Sequence, residues 1–392
     1  MNHPIGIGLV GFGWMGQVHT RSYRNVPVYF PGSGIRPRLV AVADELQDRA
    51  ELARDAFGYA LATTDWREVV EHPEVDVVDV TAPNALHQEV VEAAAAAGKH
   101  VFCEKPVGFS PEATAAIEHA TRRAGVITGA GYNYRWVPLV QHTRALLEEG
   151  RFGEIARYYG RFFSMYGRDR LGVLSWRFLQ ERSGYGTLMD LMSHVIDLAH
   201  HLVGPIRRLV AVRETFVRER PLPAEGRTHY ARGRPGDPTG RVTNEDYVGA
   251  LVEFEGGARG VLEADRTSVG PQSDMAFELQ GSLGAARWSH ETLNQLELFF
   301  VDQGPVEGFT RVLAGDRLPH QGDLVPGGGN SIGFEHMKVI EALEFLSCVR
   351  DGRPYRPNFE DALAVASVQA AMIRSWERGA WEEVTSLRIE EA

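Results

Sequence analysis

Apolar positions along this chain follow two regimes. Up to about residue 131, short, mostly apolar strand-like runs at 5–10, 39–43, 75–81, 100–103 and 126–131 alternate with stretches at 15–25, 47–57, 65–71, 87–97 and 110–125 that read as helices. Their alternation with helices predicts a parallel, doubly wound α/β sheet. Residues 27–32 read as an inserted loop with an apolar tip. Beyond 131, two helical stretches are followed by consecutive strands at 155–166, 209–217, 246–254, 258–265, 274–281 and 295–301. In one of them Met275, Phe277 and Leu279 alternate with Asp274, Glu278 and Gln280, the mark of a strand buried on one face. The second part is therefore expected to be an α+β domain with a large, mostly antiparallel open sheet. Two long connections, 218–241 and 304–331, interrupt it, and helices at 335–349 and 360–378 close the chain. The domains are expected at 1–131 and 132–392.

Composition narrows the classes. A length of 392 residues exceeds one typical core, and 44% hydrophobic with 24% charged content suits a soluble globular protein. A formal net charge of -11 disfavours nucleic acid, whose binding relies on clustered Lys and Arg. Membrane association is not expected either, since no apolar run approaches the roughly 18 residues needed to span a bilayer. Two cysteines, Cys103 and Cys348, suggest neither a disulfide framework nor a thiolate metal site, and a reducing cytoplasm is expected.

Candidate chemistry begins where the first strand breaks into Gly11-Phe12-Gly13-Trp14-Met15-Gly16. A G-x-G-x-x-G between strand and helix suits a dinucleotide. Gly11 turns the chain, Gly13 lets backbone N–H groups approach a pyrophosphate, and Gly16 lets the helix lie close to the strand. Asp44 ends the next strand, where a carboxylate binds ribose hydroxyls, and with Glu45 it opposes a 2′-phosphate, so NAD is the expected cofactor. Thr81, Pro83 and Asn84 follow a later strand, in the crevice where a dinucleotide passes; Asn84 is also a candidate N-cap, and capping for Asn84 with a helix-surface position for His87 is the alternative reading. Lys105 stands at another strand's carboxyl end, before Pro106, an X-Pro bond able to be cis. In a helix predicted over 187–203, Asp190, His194, Asp197 and His201 form one stripe between apolar flanks. An Asp-His pair at i, i+4 suits a general base oriented by a carboxylate, and a hydrogen-bonded helix face without a catalytic task is the alternative. A metal site built on Asp190, His194, His200 and His201 is disfavoured, because His200 lies around the helix from Asp190.

These motifs, with Glu104-Lys105-Pro106, Asn133-Tyr134-Arg135, Trp176-Arg177 and Gly184 through Asp190 to His194, resemble the glucose-fructose oxidoreductase and inositol dehydrogenase family, Gfo/Idh/MocA. The resemblance implies an N-terminal Rossmann domain followed by a large open sheet, with Lys105, Asp190 and His194 at catalytic positions. It adds Phe12, Trp14, Met15, His87, Glu104 and Lys105 to the cofactor-binding set, and suggests Tyr134, Arg135, Tyr166, Trp176 and Arg177 as substrate walls beside Lys105, Asp190 and His194. The active site would then lie in the cleft between the domains. Tyr185, where many members carry glycine, leaves the local backbone path open. The insert at 27–32 and the segments at 218–241 and before Gly333-Phe334 resemble a levoglucosan dehydrogenase-like branch. NAD-dependent oxidation of a secondary ring hydroxyl on a sugar or cyclitol is the expected activity. A glycosidase using bound NAD for transient oxidation, and a sugar-sensing regulator, are the alternatives. Too few helices to cover both faces of the second sheet, together with the resemblance, predict a homo-oligomer, most simply a tetramer.

Overall fold

The computed structural model describes residues 4–223, 231–305 and 307–390. It divides into two compact units, one made of Met1–Pro138, Gly315–Leu363 and Leu387–Ala392, the other of Leu139–Ala314 and Ala364–Ser386. The first break falls close to the boundary expected from the sequence. However, residues 315–363 join the first unit rather than continuing the second.

The first unit is built on β1 (Ile5–Val10), β2 (Pro37–Ala43), β3 (Leu61–Thr63), β4 (Val77–Val80), β5 (His100–Cys103) and β6 (Thr128–Ala130). They form one sheet in the order β3-β2-β1-β4-β5-β6, every pair parallel. All six residues of β1 and all four of β4 are buried, Asp79 of β4 among them. Strand order reverses between β1 and β4, so the crevice at their carboxyl ends is the switch point where this fold takes ligands. The helix after β1 runs over Trp14–Tyr29, straight through Pro27, with Phe30 N donating to Val26 O at 2.9 Å. The expected loop at 27–32 is thus a helical turn followed by a 3-10 turn at Pro31–Ser33, because Val26 and Phe30 are buried and hold that turn down. The helix Phe334–Asp351, far along the chain, packs on the helix Trp14–Tyr29 and sets Phe345 edge-on against Phe102 of β5, 5.1 Å between ring centres.

The second unit holds a nine-stranded sheet. Its members are β7 (Ile155–Ser164), β8 (Ile206–Glu214), β11 (Tyr247–Phe254), β12 (Arg259–Asp265), β13 (Ser273–Gly281), β14 (Gly284–Ser289), β15 (Gln295–Phe300), β16 (Thr310–Leu313) and β17 (Glu382–Glu383). The order is β16-β15-β14-β13-β7-β12-β11-β8-β17, antiparallel throughout except for the parallel pair β12–β7. In β13, Met275, Phe277 and Leu279 are all buried on the covered face as the alternation predicts, but Asp274 and Ala276 of the other face are buried as well, Asp274 against Arg161 and Ser289. The covered face lies under the helix Met192–Leu202, which packs on β7 and β12. The opposite face shows Val212 and Leu251, each more than half exposed. Of the connection expected at 218–241, β9 (Glu219–Pro221) and β10 (Thr239–Arg241) pair antiparallel, and residues 224–230 lie outside the described residues. The connection expected at 304–331 contains β16 and a short helix at Gln321–Leu324, with residue 306 outside the described residues.

Candidate active-site residues

In the first unit, β1 delivers the glycine turn. Gly11 has φ +96°, in the left-handed region where glycine is favoured, and its N–H donates to Ala43 O at 2.8 Å. A Cβ on Gly16 would overlap Gly11 O, so only glycine lets the helix start this close to the strand. Gly13 is the N-cap and has no side chain to cap the helix, and a Cβ there would meet open space. First-turn N–H groups facing open space are what a pyrophosphate needs, and the site fits a dinucleotide. Asp44 is buried at the end of β2, with Oδ2 accepting from Phe12 N at 2.7 Å and Oδ1 from Leu46 N at 3.0 Å. It braces the glycine turn as well as standing where a ribose would lie. Thr81 Oγ1 donates to Gly11 O at 2.5 Å, tying β4's end to the same turn. Trp14 is 62% exposed and stacks on Phe334, 5.6 Å between ring centres.

Two expectations for this unit are corrected. Pro83, not Asn84, occupies the N-cap, and Asn84 is the first residue of the helix Asn84–Ala96. His87 is buried rather than on a helix surface. Its Nε2 lies 2.8 Å from Ala82 O and its Nδ1 2.9 Å from Pro106 O, and burial pushes the imidazole below its ordinary range against the lift from those carbonyls. His87 therefore ties the turn after β4 to the turn after β5. The Lys105–Pro106 bond is cis. Tyr134 and Arg135 are buried in the 3-10 turn Asn133–Trp136, with Arg135 Nη2 3.4 Å from Asp361 Oδ1.

Around Glu104 lies a group of buried side chains that the sequence did not announce. His19, on the helix after the glycine turn, places Nδ1 2.9 Å from Asp79 Oδ2 and Nε2 3.0 Å from Glu104 Oε1. Lys338 Nζ, on the helix Phe334–Asp351, donates to Glu104 Oε1 at 2.5 Å and pairs with Glu341 Oε2 at 2.8 Å. Burial would push the His19 imidazole down, but the Asp79 charge, opposed by that of Lys338, and the bonds to Asp79 and Glu104 lift it to about 9. Burial likewise works against the Glu104 carboxylate, yet the charge of Lys338 and the bond and charge of His19 hold it well below its usual range. The sequence signals were Glu104 in its Glu-Lys-Pro motif and Asp79, an acid inside an otherwise apolar strand.

In the second unit, the helix expected over 187–203 is two pieces, Thr187–Asp190 and Met192–Leu202, joined at Leu191. At the joint His194 N donates to Leu191 O, three residues back, at 3.1 Å, and Ser193 Oγ donates to Asp190 O at 3.1 Å, bonds that compete with the regular i→i−4 ladder. Glu245 Oε1 accepts from Leu188 N at 2.8 Å and Thr187 Oγ1 donates to Asp246 O at 2.8 Å, which anchor the start of the first piece. His194 is buried, its ring 5.9 Å from that of Phe162 on β7.

Asp190 gathers three of the residues suggested as substrate walls. Tyr166 Oη donates to Asp190 Oδ2 at 2.9 Å, Arg177 Nη1 lies 3.8 Å from the same oxygen, and the Arg177 guanidinium sits over the Trp176 ring at 4.6 Å. Burial, then the Asp190 charge, pushes the Tyr166 phenol far above its ordinary range, so at neutral pH it is a hydrogen-bond donor and not a base. The carbonyl of Arg177 is held by Asn244 Nδ2 at 2.9 Å and Arg266 Nη1 at 3.2 Å. Arg266 is fully buried on Asp246, 2.7 Å from Nε to Oδ1, and it shares the ring of Phe178 with the buried Arg220. Sequence reading passed over these supports because each is separated from Arg177 by dozens of residues. Tyr185 resolves simply. Gly184 takes the left-handed backbone, φ +71°, and the Tyr185 ring lies 5.7 Å from that of Trp376.

Comparison with known proteins agrees with this arrangement. Residues 5–132 match the GFO/IDH/MocA oxidoreductase family, NAD-binding Rossmann fold, and residues 140–287 match the GFO/IDH/MocA C-terminal domain. The chain is 33% identical over 385 residues to levoglucosan dehydrogenase of Pseudarthrobacter phenanthrenivorans, covering 98% of this chain and 99% of that one. It is 26% identical to scyllo-inositol 2-dehydrogenase (NAD(+)) of Bacillus subtilis, covering 97% and 96%. Among solved structures, levoglucosan dehydrogenase in complex with NADH and levoglucosan superposes with a TM-score of 0.92 at 32% identity, covering 98% of this chain and 100% of that one.

Proposed function

This chain belongs to the GFO/IDH/MocA oxidoreductase family and is an NAD-dependent enzyme, and from that premise we propose that it oxidises a secondary ring hydroxyl of a pyranose sugar, anhydrosugar or inositol. The observation that carries the substrate class is the group collected on Asp190: a phenol, a guanidinium and an indole, which are hydrogen-bonding and stacking partners for a polyhydroxylated ring. Bound NAD supplies the hydride acceptor. His194 accepts the hydroxyl proton, Asp190 supports the imidazolium that results, and Lys105 donates a hydrogen bond to the same oxygen as negative charge develops on it. Tyr166, Trp176 and Arg177 contact the ring. Following NADH absorbance over levoglucosan, glucose, myo-inositol and scyllo-inositol tests the reading, and NADH should accumulate with at least one of them. Glycoside cleavage without net NADH would point to transient oxidation instead.

NAD should be preferred to NADP by orders of magnitude. A 2′-phosphate about 4 Å from Asp44 is opposed by on the order of 4 kcal/mol at an effective dielectric near 20, and Arg49, 3.9 Å from Asp44 and partly exposed, offsets a fraction of this. Because Asp44 also braces the glycine turn, Asp44→Ser should weaken NAD as well. The ratio of kcat/KM for the two cofactors is therefore the readout, and it should narrow. Equal efficiency in the wild type would refute the assignment.

The working form is a homotetramer in the cytoplasm on this reading. Its support is the half-exposed Val212 and Leu251 on one face of the nine-stranded sheet, with free thiols at Cys103 and Cys348. Light scattering at micromolar concentration should give four times the chain mass, and a monomer would exclude it.

A further inference from the structure

Five ionisable side chains in the first unit are sealed from water: Asp79, His19, Glu104, Lys338 and Glu341, none more than 7% exposed. They come from four separate parts of the chain: β4, the helix Trp14–Tyr29, the residue after β5, and the helix Phe334–Asp351. Burying charges of both signs is costly, and well-packed apolar residues usually stabilise a fold as well or better. Stability alone therefore does not account for the group.

What the group does locally is clearer. Glu104 Oε1 takes both cations, His19 Nε2 at 3.0 Å and Lys338 Nζ at 2.5 Å, and Oε2 accepts the backbone N–H of Lys105 at 3.2 Å. Gly131 leaves room for this carboxylate, since a Cβ there would lie 2.8 Å from Oε1. On the other side, Pro106 O lies 2.9 Å from His87 Nδ1. The backbone is thus gripped just before and just after the Lys105 side chain, by two buried groups. One of those grips, Glu104, is itself aimed by residues 85 and 234 positions away in the sequence.

We propose that His19 and Lys338 are positioning residues for Lys105, acting through the Glu104 carboxylate on the Lys105 backbone N–H. The inference rests on the role proposed for Lys105 above. It makes the rate of a reaction at the end of β5 depend on a lysine of the helix Phe334–Asp351. A displacement of about 1 Å in a catalytic group can lower a rate on the order of 10²-fold, which sets the scale.

The test is a double-mutant cycle on the full-length enzyme, with the best substrate of the panel above. Lys338→Met should lower kcat by roughly 10- to 100-fold, with the NAD dissociation constant unchanged within about threefold. In a Lys105→Met background the same substitution should lower the residual rate no further, because its target is gone. The pair Glu104→Gln/Lys338→Met removes one buried charge of each sign, so it keeps the test open if Lys338→Met alone does not fold. It should show the same dependence on Lys105. A loss of equal size with and without Lys105 would overturn the proposal and leave the group a structural one. So would a kcat within about twofold of wild type in the folded pair variant. Should Lys105→Met by itself retain the wild-type rate, the assignment of Lys105 fails instead, a result distinct from either of these.

Discussion

His194→Ala should lower kcat by roughly 10² to 10⁴, the range for removing a positioned general base, while NAD binds near its wild-type affinity. The separation follows from where the groups lie in the chain. The residues proposed to contact the dinucleotide all belong to the first unit, whereas His194 is on the helix Met192–Leu202 of the other unit. An imidazole acting as base must be neutral before turnover, so the wild-type rate should fall as pH drops through its titration, and this acid limb should vanish in the variant. Asp190→Asn should also lose rate while still binding substrate. It keeps the shape and the acceptor for Tyr166 Oη but removes the charge that supports the imidazolium and faces Arg177. A pH–rate profile for each variant decides the matter. If His194→Ala turns over at close to the wild-type rate with its acid limb intact, another group is the base and the stripe on that helix is structural.

Lys105→Met should be at least as damaging as His194→Ala. An ammonium donating to an oxygen that gains negative charge acts most strongly in the transition state, so its removal should fall on kcat more than on KM. Methionine keeps the length of the stem and removes only the charge and the donors. The backbone grip should survive, because Glu104 Oε2 accepts from the N–H of residue 105, a donor that methionine retains, and His87 lies against Pro106 O. Steady-state kinetics with the circular dichroism spectrum as a check on folding would show it. An unchanged kcat with a raised KM would make Lys105 a binding residue only.

Much of this protein was determined by the sequence alone, wherever the physics is local. Mostly apolar runs set five of the six parallel strands, while the three-residue β3, Leu61–Thr63, is too short to leave such a run. The spacing of Gly11, Gly13 and Gly16 set the dinucleotide turn, since only glycine takes φ +96° without strain or lets a helix pass that close. A helical period through 187–203 predicts one stripe for Asp190 and His194. Tertiary structure decided the rest. The regular helix expected through that stripe is broken at Leu191 by bonds back to Asp190 and Leu191, because Glu245 and Asp246, just before β11 and more than fifty residues away, anchor its start. The alternation of strands and helices gave no warning that residues 315–363 return to the first unit. Nor could it bring Lys338 against Glu104, or Asn244 and Arg266 against the carbonyl of Arg177. Hydrogen bonds and ion pairs of that kind have no periodicity. They exist only once packing has brought distant segments together and excluded the water that would otherwise compete for them.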